Sequence, residues 1–387
     1  AGRRIDLETG TVDQKWAAWE ALYWPVRNLD QHEQRDWIRA FCTRHGLDLM
    51  YYSGATALLQ GATTGLGAIF MLHHVFPGGG QQEGFVPNRV LEVDPGFLDA
   101  VIGMVKSLGY DLVSIDDAVE RVIAGEHDRP FAVFTLDDGY RDNLVHARPV
   151  FGRHDCPFTV YVTTSMIDGT CELWWRGLEI AIAQSPRVTA SLASRHIDLE
   201  TRTVDQKWAA WEALYWPVRT LDQHEQRDWI RAFCTQHGVD LDRLCRESAM
   251  TWDELRTLAA DPLCTIGAHT VRHFASACLP PGEALAEMVA SADRLTRELG
   301  RRPRHFAYPY GDELSAGPRD FDLAREVPFT SAVTTRKGLI YSAHADHLQA
   351  LPRLSLSGQL QETRYIKSLL TGLPFLLFNR LHRVNVS

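Results

Sequence analysis

Two adjacent aspartates stand where they could bind a metal ion and activate a water molecule. Residues 131–134 read Phe-Ala-Val-Phe, a short apolar run typical of a parallel strand that is buried on both faces. Asp137 and Asp138 follow at the carboxyl end of this predicted strand, and Gly139 allows a sharp turn. Because neighbouring strand residues point to opposite sides, one carboxylate can face an ion while the other faces a different partner. The alternative is a purely structural turn.

Two histidines occupy a similar place after another predicted strand. His269 and His273 follow the apolar run at 264–268. The chain has 16 histidines, so a spacing of four residues carries little weight by itself, and the position after a buried strand carries more. Two imidazoles and one carboxylate are a common ligand set for Zn²⁺ or a similar ion, with room left for water and substrate.

Strands and helices are predicted to alternate from Gly65 onward. Repeated βα units favour a parallel sheet, open or closed into a barrel, with the chemistry at the carboxyl ends of the strands. The predicted strands are residues 68–72, 131–136, 158–162, 264–268, 304–308, 330–333 and 350–354. The predicted helices include residues 94–108, 117–124 and 282–299.

A segment of the chain is duplicated. Residues 3–49 recur at 195–241 with differences at five positions. Each copy is predicted to be a helical hairpin, with a capping box Thr-x-x-Gln at the start of its first helix and a proline that ends this helix. We therefore divide the chain into a helical hairpin at 1–49 and a catalytic domain at 50–387, with a helical insertion at about 172–260.

The duplication suggests how the first copy could be used. Met50 follows it directly, so we expect the natural chain to start near there and residues 1–49 to be dispensable. The first copy would then dock where the second does, or on another molecule, which would give a homodimer. Tryptophans are concentrated in both copies, and a sugar-binding surface is one interpretation. Their helical spacing favours packing of the hairpin instead.

The composition excludes several classes of protein. The formal net charge is −9 with no basic run, so nucleic acid is not an expected partner. The seven cysteines are scattered without a CxxC pair, which fits reduced thiols in a cytoplasmic protein. We find no signal peptide and no transmembrane segment. Because the chain begins at Ala1, processing and a cell-surface or periplasmic location stay open.

Three motifs resemble those of the polysaccharide deacetylases, the NodB-homology group of carbohydrate esterase family 4. They are Thr-Leu-Asp-Asp-Gly at 135–139, His-Thr-x-x-His at 269–273 and Phe-Ala-Tyr-Pro-Tyr-Gly at 306–311. The run Met-Leu-His-His-Val at 71–75 is also similar to the opening strand of some members. The resemblance covers about residues 65–355 and leaves out the first copy of the duplicated segment.

This resemblance implies a fold and a set of roles. The fold is an α/β protein with a distorted (β/α)7-type barrel. The implied general base is Asp137, and the implied metal ligands are Asp138, His269 and His273. The expected ion is Zn²⁺, with Co²⁺, Ni²⁺ or Mn²⁺ as alternatives. The backbone N–H of Tyr310 would stabilise the oxyanion.

The chain departs from the family pattern in the groups that assist the base. Ala307 replaces an Arg that usually precedes the Pro-Tyr of the third motif, so we expect Arg353 or Arg304 to orient the base. The acidic-Trp motif is not visible, and Thr-Thr-Arg-Lys-Gly at 334–338 stands in its region.

The histidine that acts as the general acid is not plainly present either. His347 and His344 are the candidates for it, although an ordinary surface or core histidine explains each equally well. The expected substrate-binding residues are Tyr140, Tyr308, Pro309 and His73.

The predicted function is metal-dependent N-deacetylation of N-acetylglucosamine units in an oligo- or polysaccharide, with release of acetate. A glycoside hydrolase fits less well, because it needs two carboxylates about 5–9.5 Å apart across the bond. A non-catalytic carbohydrate-binding protein on the same fold is an alternative, motivated by Ala307 and the tryptophans. A further alternative is another hydrolase of non-peptide C–N bonds that acts on a small amide.

Overall fold

The computed structural model of this chain describes residues 63–125, 128–192 and 195–386. The described residues belong to one compact unit, Ala62–Ser387. The first copy of the duplicated segment, and with it the predicted hairpin at 1–49, lies outside the described residues. Within the described ranges, no helix has the length and apolar character needed to cross a bilayer.

Seven parallel strands close into a barrel. The strands in chain order are β1 (Gly67–Leu72), β2 (His74–Val75), β3 (Glu92–Val93), β4 (Asp111–Leu112), β5 (Phe131–Leu136), β6 (Phe158–Val162), β7 (Arg187–Leu192), β8 (Arg195–Glu200), β9 (Cys264–Ala268), β10 (His305–Ala307), β11 (Ser331–Lys337) and β12 (Leu351–Ser355). The order around the barrel is β1-β12-β11-β10-β9-β6-β5, and β5 pairs back to β1. The predicted (β/α)7-type barrel is therefore confirmed.

Helices connect and cover the strands. They are α1 (Pro95–Ser107), α2 (Ile115–Ala124), α3 (Arg148–Arg153), α4 (Thr164–Ile167), α5 (Trp174–Gln184), α6 (Val204–Arg219), α7 (Gln223–Gln236), α8 (Leu241–Ser248), α9 (Trp252–Ala259), α10 (Pro281–Leu299), α11 (Pro318–Glu326), α12 (Thr363–Leu370) and α13 (Leu373–Phe378). A π-helix spans Asn143–Ala147, and 3₁₀ helices span Pro87–Leu91, Ser276–Cys278 and Ser342–Ala350.

The pairing of β1 with β5 determines where the two aspartates lie. The register runs from Gly67 opposite Phe131 to Leu72 opposite Leu136, and both strands are buried along their whole length. The backbone N–H of Asp137 donates to Leu72 O at 3.0 Å, which continues this ladder by one residue. The aspartate pair therefore leaves the barrel at the carboxyl ends of its strands, where parallel barrels carry their active sites.

Alternate strand residues fill the barrel and cover it from outside. The interior cluster includes Ile69, Val133, Tyr161, Val333 and Leu351. A larger cluster packs the outer faces of the strands against the surrounding helices. The strands are thus buried on both sides, which is why they are continuous apolar runs in the sequence.

The segment between β6 and β9 contains the second copy of the duplicated segment. Its predicted helical hairpin corresponds to α6 and α7, and Thr203 forms the predicted capping box with Gln206. Two features differ from the prediction. Pro217 lies inside α6, which continues to Arg219, and the copy begins with β8, which pairs in antiparallel with β7. Trp211 is buried as packing predicts, whereas Trp216 is 47 % exposed.

Candidate active site

The three predicted metal ligands lie together at the carboxyl ends of β5 and β9. Asp138, His269 and His273 are buried, and one ligand atom of each lies within 4.8 Å of the others. Asp138 Oδ1 is 3.4 Å from His269 Nε2 and 3.2 Å from His273 Nε2. Barrel closure therefore brings one carboxylate and two imidazoles into a single cluster.

Asp137 has a different partner. Arg353 on β12 donates from Nη1 and Nη2 to its two carboxylate oxygens, each at 2.7 Å. The same guanidinium donates to Thr334 O at 2.8 Å and to Thr135 Oγ1 at 3.1 Å, and its residue is 1 % exposed. Of the two arginines considered from the sequence, Arg353 therefore orients the predicted base, whereas Arg304 pairs with Asp116 on α2.

The surroundings keep both carboxylates ionised. Burial alone would raise the pKa of Asp137, but the charge and hydrogen bonds of Arg353 outweigh it, so this pKa is lowered. Burial also acts to raise the pKa of Asp138, and the imidazoles of His273 and His269 outweigh it, so this pKa lies well below its usual value. The site thus holds two adjacent negative charges, with Arg353 beside Asp137 and two imidazoles beside Asp138.

The two histidines present nitrogen atoms to the Asp138 carboxylate. The ring Nδ1 of His269 lies 2.7 Å from Ala307 O, which accepts its proton, and this tautomer leaves Nε2 facing Asp138. Burial lowers the pKa of His273 to about 4, so its ring is neutral at neutral pH, the form that binds metal ions. Burial also acts to lower the pKa of His269, but Asp138 and Asp137 outweigh it and the pKa is raised.

These residues fit a divalent cation. Within the described ranges, the buried Asp138 Oδ1 has no hydrogen-bond donor, although it belongs to an ionised group. A buried charged oxygen without a partner is costly, and a cation between the carboxylate and the two Nε2 atoms would compensate it. One oxygen and two imidazole nitrogens are ligands that Zn²⁺ accepts, and other transition metals such as Co²⁺ accept them as well.

Four residues of the site have left-handed backbone. They are Asp138 (φ 78°), Thr270 (φ 63°), His273 (φ 56°) and Tyr310 (φ 61°). Residues other than glycine adopt this conformation rarely, and such strain concentrates at functional sites. The chain thus already turns at Asp138, one residue before the predicted turn at Gly139. Because of this turn, the two carboxylates point in different directions.

His73 lies beside the predicted base. Its Nε2 is 4.0 Å from Asp137 Oδ2. Burial lowers its pKa more than the neighbouring Asp138 and Asp137 raise it. Asn143, at the start of the π-helix, donates to His73 O at 2.8 Å, and His74 Nδ1 lies 2.6 Å from Asp142 Oδ2. A π-helix often marks a functional site, and this one fixes the backbone of His73.

Tryptophans of α5 form one side of the site. Trp174 Nε1 donates to the Tyr310 hydroxyl at 2.7 Å. The Trp175 and Tyr310 rings lie 5.1 and 4.8 Å from the His273 ring between centroids. Sequence reasoning missed the roles of Trp174 and Trp175, and those of Asp142 and Asn143. Their signals were the Trp-Trp pair at 174–175 and the polar residues that directly follow the first motif.

The structure does not bring the two general-acid candidates to the site. His344 and His347 lie in the 3₁₀ segment before β12, which packs against α2 at the amino ends of the strands. His344 is fully buried, and its Nδ1 accepts from the Tyr341 backbone N–H at 3.0 Å. Both histidines are thus at the opposite end of the barrel from Asp137, which corrects their predicted role.

Three predicted substrate-binding residues are buried rather than exposed. Tyr140 stacks on His74 with 3.5 Å between ring centroids. Tyr308 packs in the outer layer, and its hydroxyl donates to Gln349 O at 3.0 Å. Pro309 is buried at the end of β10. In this structure these residues are covered by neighbouring groups and present no surface to a substrate, so their predicted role is corrected as well.

Comparisons with known proteins identify a similar family and a similar fold. A family model described as Polysaccharide deacetylase matches residues 124–318. The Streptococcus pyogenes deacetylase PplD, solved in complex with acetate, has a TM-score of 0.51 at 15% identity, over 78% of this chain and 97% of that chain. This likeness shows a shared fold.

Further solved structures are similar as well. IcaB from Ammonifex degensii has a TM-score of 0.48 at 16% identity, over 78% of this chain and 96% of that chain. A de-N-acetylase from Aggregatibacter actinomycetemcomitans has a TM-score of 0.49 at 15% identity, over 78% and 98%. No curated protein matches this chain.

Arg353→Met is expected to destabilise the chain by about 3–5 kcal/mol, because it leaves the Asp137 charge buried without its partner. Urea unfolding at neutral pH measures the loss, and adding Asp137→Asn should recover part of it by removing that charge. The control is Arg304→Met, whose ion pair is exposed and should cost at most about 1 kcal/mol. Equal losses in the two single variants would contradict the assignment.

Proposed function

We propose, on the premise that this chain belongs to the polysaccharide deacetylase family, that it removes acetyl groups from N-acetylglucosamine units of an oligo- or polysaccharide in a metal-dependent reaction. Members of this family are hydrolases of carbon–nitrogen bonds other than peptide bonds. The observation that carries the proposal is the buried group of Asp138, His269 and His273 beside a base held by Arg353. The same group argues against a binding protein that lost its catalytic residues.

Asp138, His269 and His273 would hold the cation. When bound, a divalent ion polarises the acetamide carbonyl and lowers the pKa of water at the site. Zn²⁺ is the ion we expect, with Co²⁺, Ni²⁺ and Mn²⁺ as alternatives. The neutral form of His273 and the ionised form of Asp138 are the states that such a ligand set requires.

Asp137 is the general base of the proposed reaction. Its carboxylate is ionised, and the two hydrogen bonds from Arg353 fix its orientation. It takes the proton of the attacking water as the oxygen bonds to the acetamide carbon. The tetrahedral oxygen that forms carries negative charge, and the backbone N–H of Tyr310 is the donor that we propose for it.

His73 is the general acid, in place of His344 and His347. Its Nε2 lies 4.0 Å from Asp137 Oδ2, too far for a direct hydrogen bond and close enough for one water to pass on the proton that the base has taken up. Because its pKa is lowered, the ring starts neutral and can accept this proton before donating it to the leaving nitrogen. The water proton thus ends on the amine, and the products are acetate and a glucosamine unit.

We also propose an oligomeric state and a location for this protein. The duplicated hairpin could join two copies of the chain into a homodimer. A cytoplasmic location is likewise a prediction, from the scattered cysteines without a CxxC pair. Sedimentation of the full chain beside a chain that begins at Met50 distinguishes a dimer made by residues 1–49 from a monomer.

Acetate release is expected from at least one N-acetylated glycan in a panel of chitin-like oligomers, peptidoglycan and poly-N-acetylglucosamine. Turnover should stop with a chelator and return with added Zn²⁺ or Co²⁺. An enzymatic acetate assay measures it. New reducing ends without acetate would indicate a glycoside hydrolase, and tight glycan binding without turnover would indicate a binding protein.

Substitutions are expected to distinguish the metal ligands from the general base. Asp138→Ala and His269→Ala should lose the ion, because each removes one of three ligand atoms. Asp137→Asn should keep the ion and lose turnover by about 10²–10⁴-fold, since the amide cannot accept the proton. Metal analysis of dialysed protein and the acetate assay test both parts. Full turnover in Asp137→Asn would refute the role of the base.

His73→Asn should retain the ion and lower kcat by about 10²–10⁴-fold, because the leaving nitrogen then lacks a proton donor. The matched control is His347→Asn at the other end of the barrel, which should leave kcat unchanged. The acetate assay measures both variants. The reverse result, with kcat lost in His347→Asn alone, would restore the sequence prediction and reject His73.

A further inference from the structure

The loop that carries His273 needs contacts from outside to keep its shape. We call residues 269–275 the histidine loop. Thr270 and His273 in this loop have left-handed backbone, with φ of 63° and 56°. Such conformations persist only where the surrounding structure fixes them. On one side, the Glu287 carboxylate of α10 accepts from the backbone N–H of Val271 at 3.0 Å and of Arg272 at 2.8 Å.

The duplicated segment holds the other side of the histidine loop. Arg227 on α7 donates from Nη2 to Arg272 O at 3.1 Å and to His273 O at 3.2 Å, and its residue is 2 % exposed. Gln223, one turn earlier on α7, is fully buried, and its Oε1 accepts from the Ala275 N–H at 2.8 Å. Two buried polar side chains of one helix thus satisfy the backbone on both sides of the ligand residue.

The same hairpin also reaches Tyr310. The Arg219 guanidinium, at the end of α6, lies 3.8 Å from the centroid of the Tyr310 ring. The Tyr310 ring in turn lies 4.8 Å from the His273 ring. The hairpin therefore contacts two loops of the site, whereas a mere surface insertion would contact neither.

We propose that α7 is part of the metal site, with Arg227 and Gln223 as positioning residues that place His273 at bonding distance from the ion. This inference rests on the proposed function, because it assumes a cation between Asp138 and the two imidazoles. Groups that orient a metal ligand typically change the affinity for the ion by about 10–100-fold when they are removed. Neither residue touches the ion, so each acts through the backbone of the histidine loop.

The duplication supplies a matched control. Arg35 occupies in residues 3–49 the position that Arg227 occupies in residues 195–241, within nearly identical surroundings in the sequence. Arg35→Leu therefore removes the same side chain from the same local sequence. A charge or composition effect of the substitution would appear in both variants, and a positioning effect in Arg227→Leu alone.

The experiment is a titration of the full-length, metal-free protein with Co²⁺. Calorimetry measures the affinity, and the visible spectrum reports the environment of the bound ion. Arg227→Leu is expected to weaken Co²⁺ binding by about 10–100-fold and to change the spectrum, and Arg35→Leu to do neither. Arg227→Lys should restore part of the affinity, because an ammonium group can still donate to one carbonyl. Gln223→Ala should also weaken Co²⁺ binding. If Arg227→Leu does not fold, Gln223→Ala tests the positioning role in its place.

The possible outcomes distinguish a failure of this inference from a failure of the proposed function. Equal affinities for the wild type, Arg227→Leu and Gln223→Ala would overturn the positioning role and leave the metal-dependent function standing. Equal losses in Arg35→Leu and Arg227→Leu would overturn the assignment to α7. A wild-type protein that binds no Co²⁺ would contradict the metal-dependent function, and the inference with it.

Discussion

Two carboxylates buried side by side are the constraint on which this structure depends. A buried charge is stable when an opposite charge or hydrogen bonds compensate it, and Asp137 and Asp138 cannot share one partner. Asp137 is compensated by Arg353 from β12. Asp138 faces two imidazoles that follow β9 and keeps one oxygen without a donor within the described residues. Since β5, β9 and β12 are distant in sequence, barrel closure is what creates the site.

The fold was largely readable from the sequence because its strands are buried on both faces. Residues 131–136, 158–162 and 264–268 form strands with the predicted boundaries, since each is an apolar run next to a turn. The hairpin of β7 and β8 was missed. Its strand β8 alternates polar and apolar residues, but it leads directly into a segment whose capping box and tryptophan spacing indicate helices, so these six residues were assigned to the helical hairpin.

The site was predictable where a motif directly follows a strand, and much less so elsewhere. Arg353 or Arg304 was expected from the absence of an arginine at Ala307, and in the structure Arg353 is the one that pairs with Asp137. His344 and His347 were misplaced although they precede the predicted strand at 350–354, and a segment before a parallel strand lies at its amino end, opposite the aspartates. Arg227 carried no signal, since a cation on an amphipathic helix is normally a surface residue.

We propose that Asp138, His269 and His273 hold one cation between them. Anomalous scattering from crystals grown with Zn²⁺ or Co²⁺, recorded on both sides of the metal absorption edge, tests it most directly. A single strong peak is expected about 2.0–2.2 Å from Asp138 Oδ1 and from the two Nε2 atoms. A peak elsewhere in the chain, or none at a saturating concentration of the ion, would contradict it.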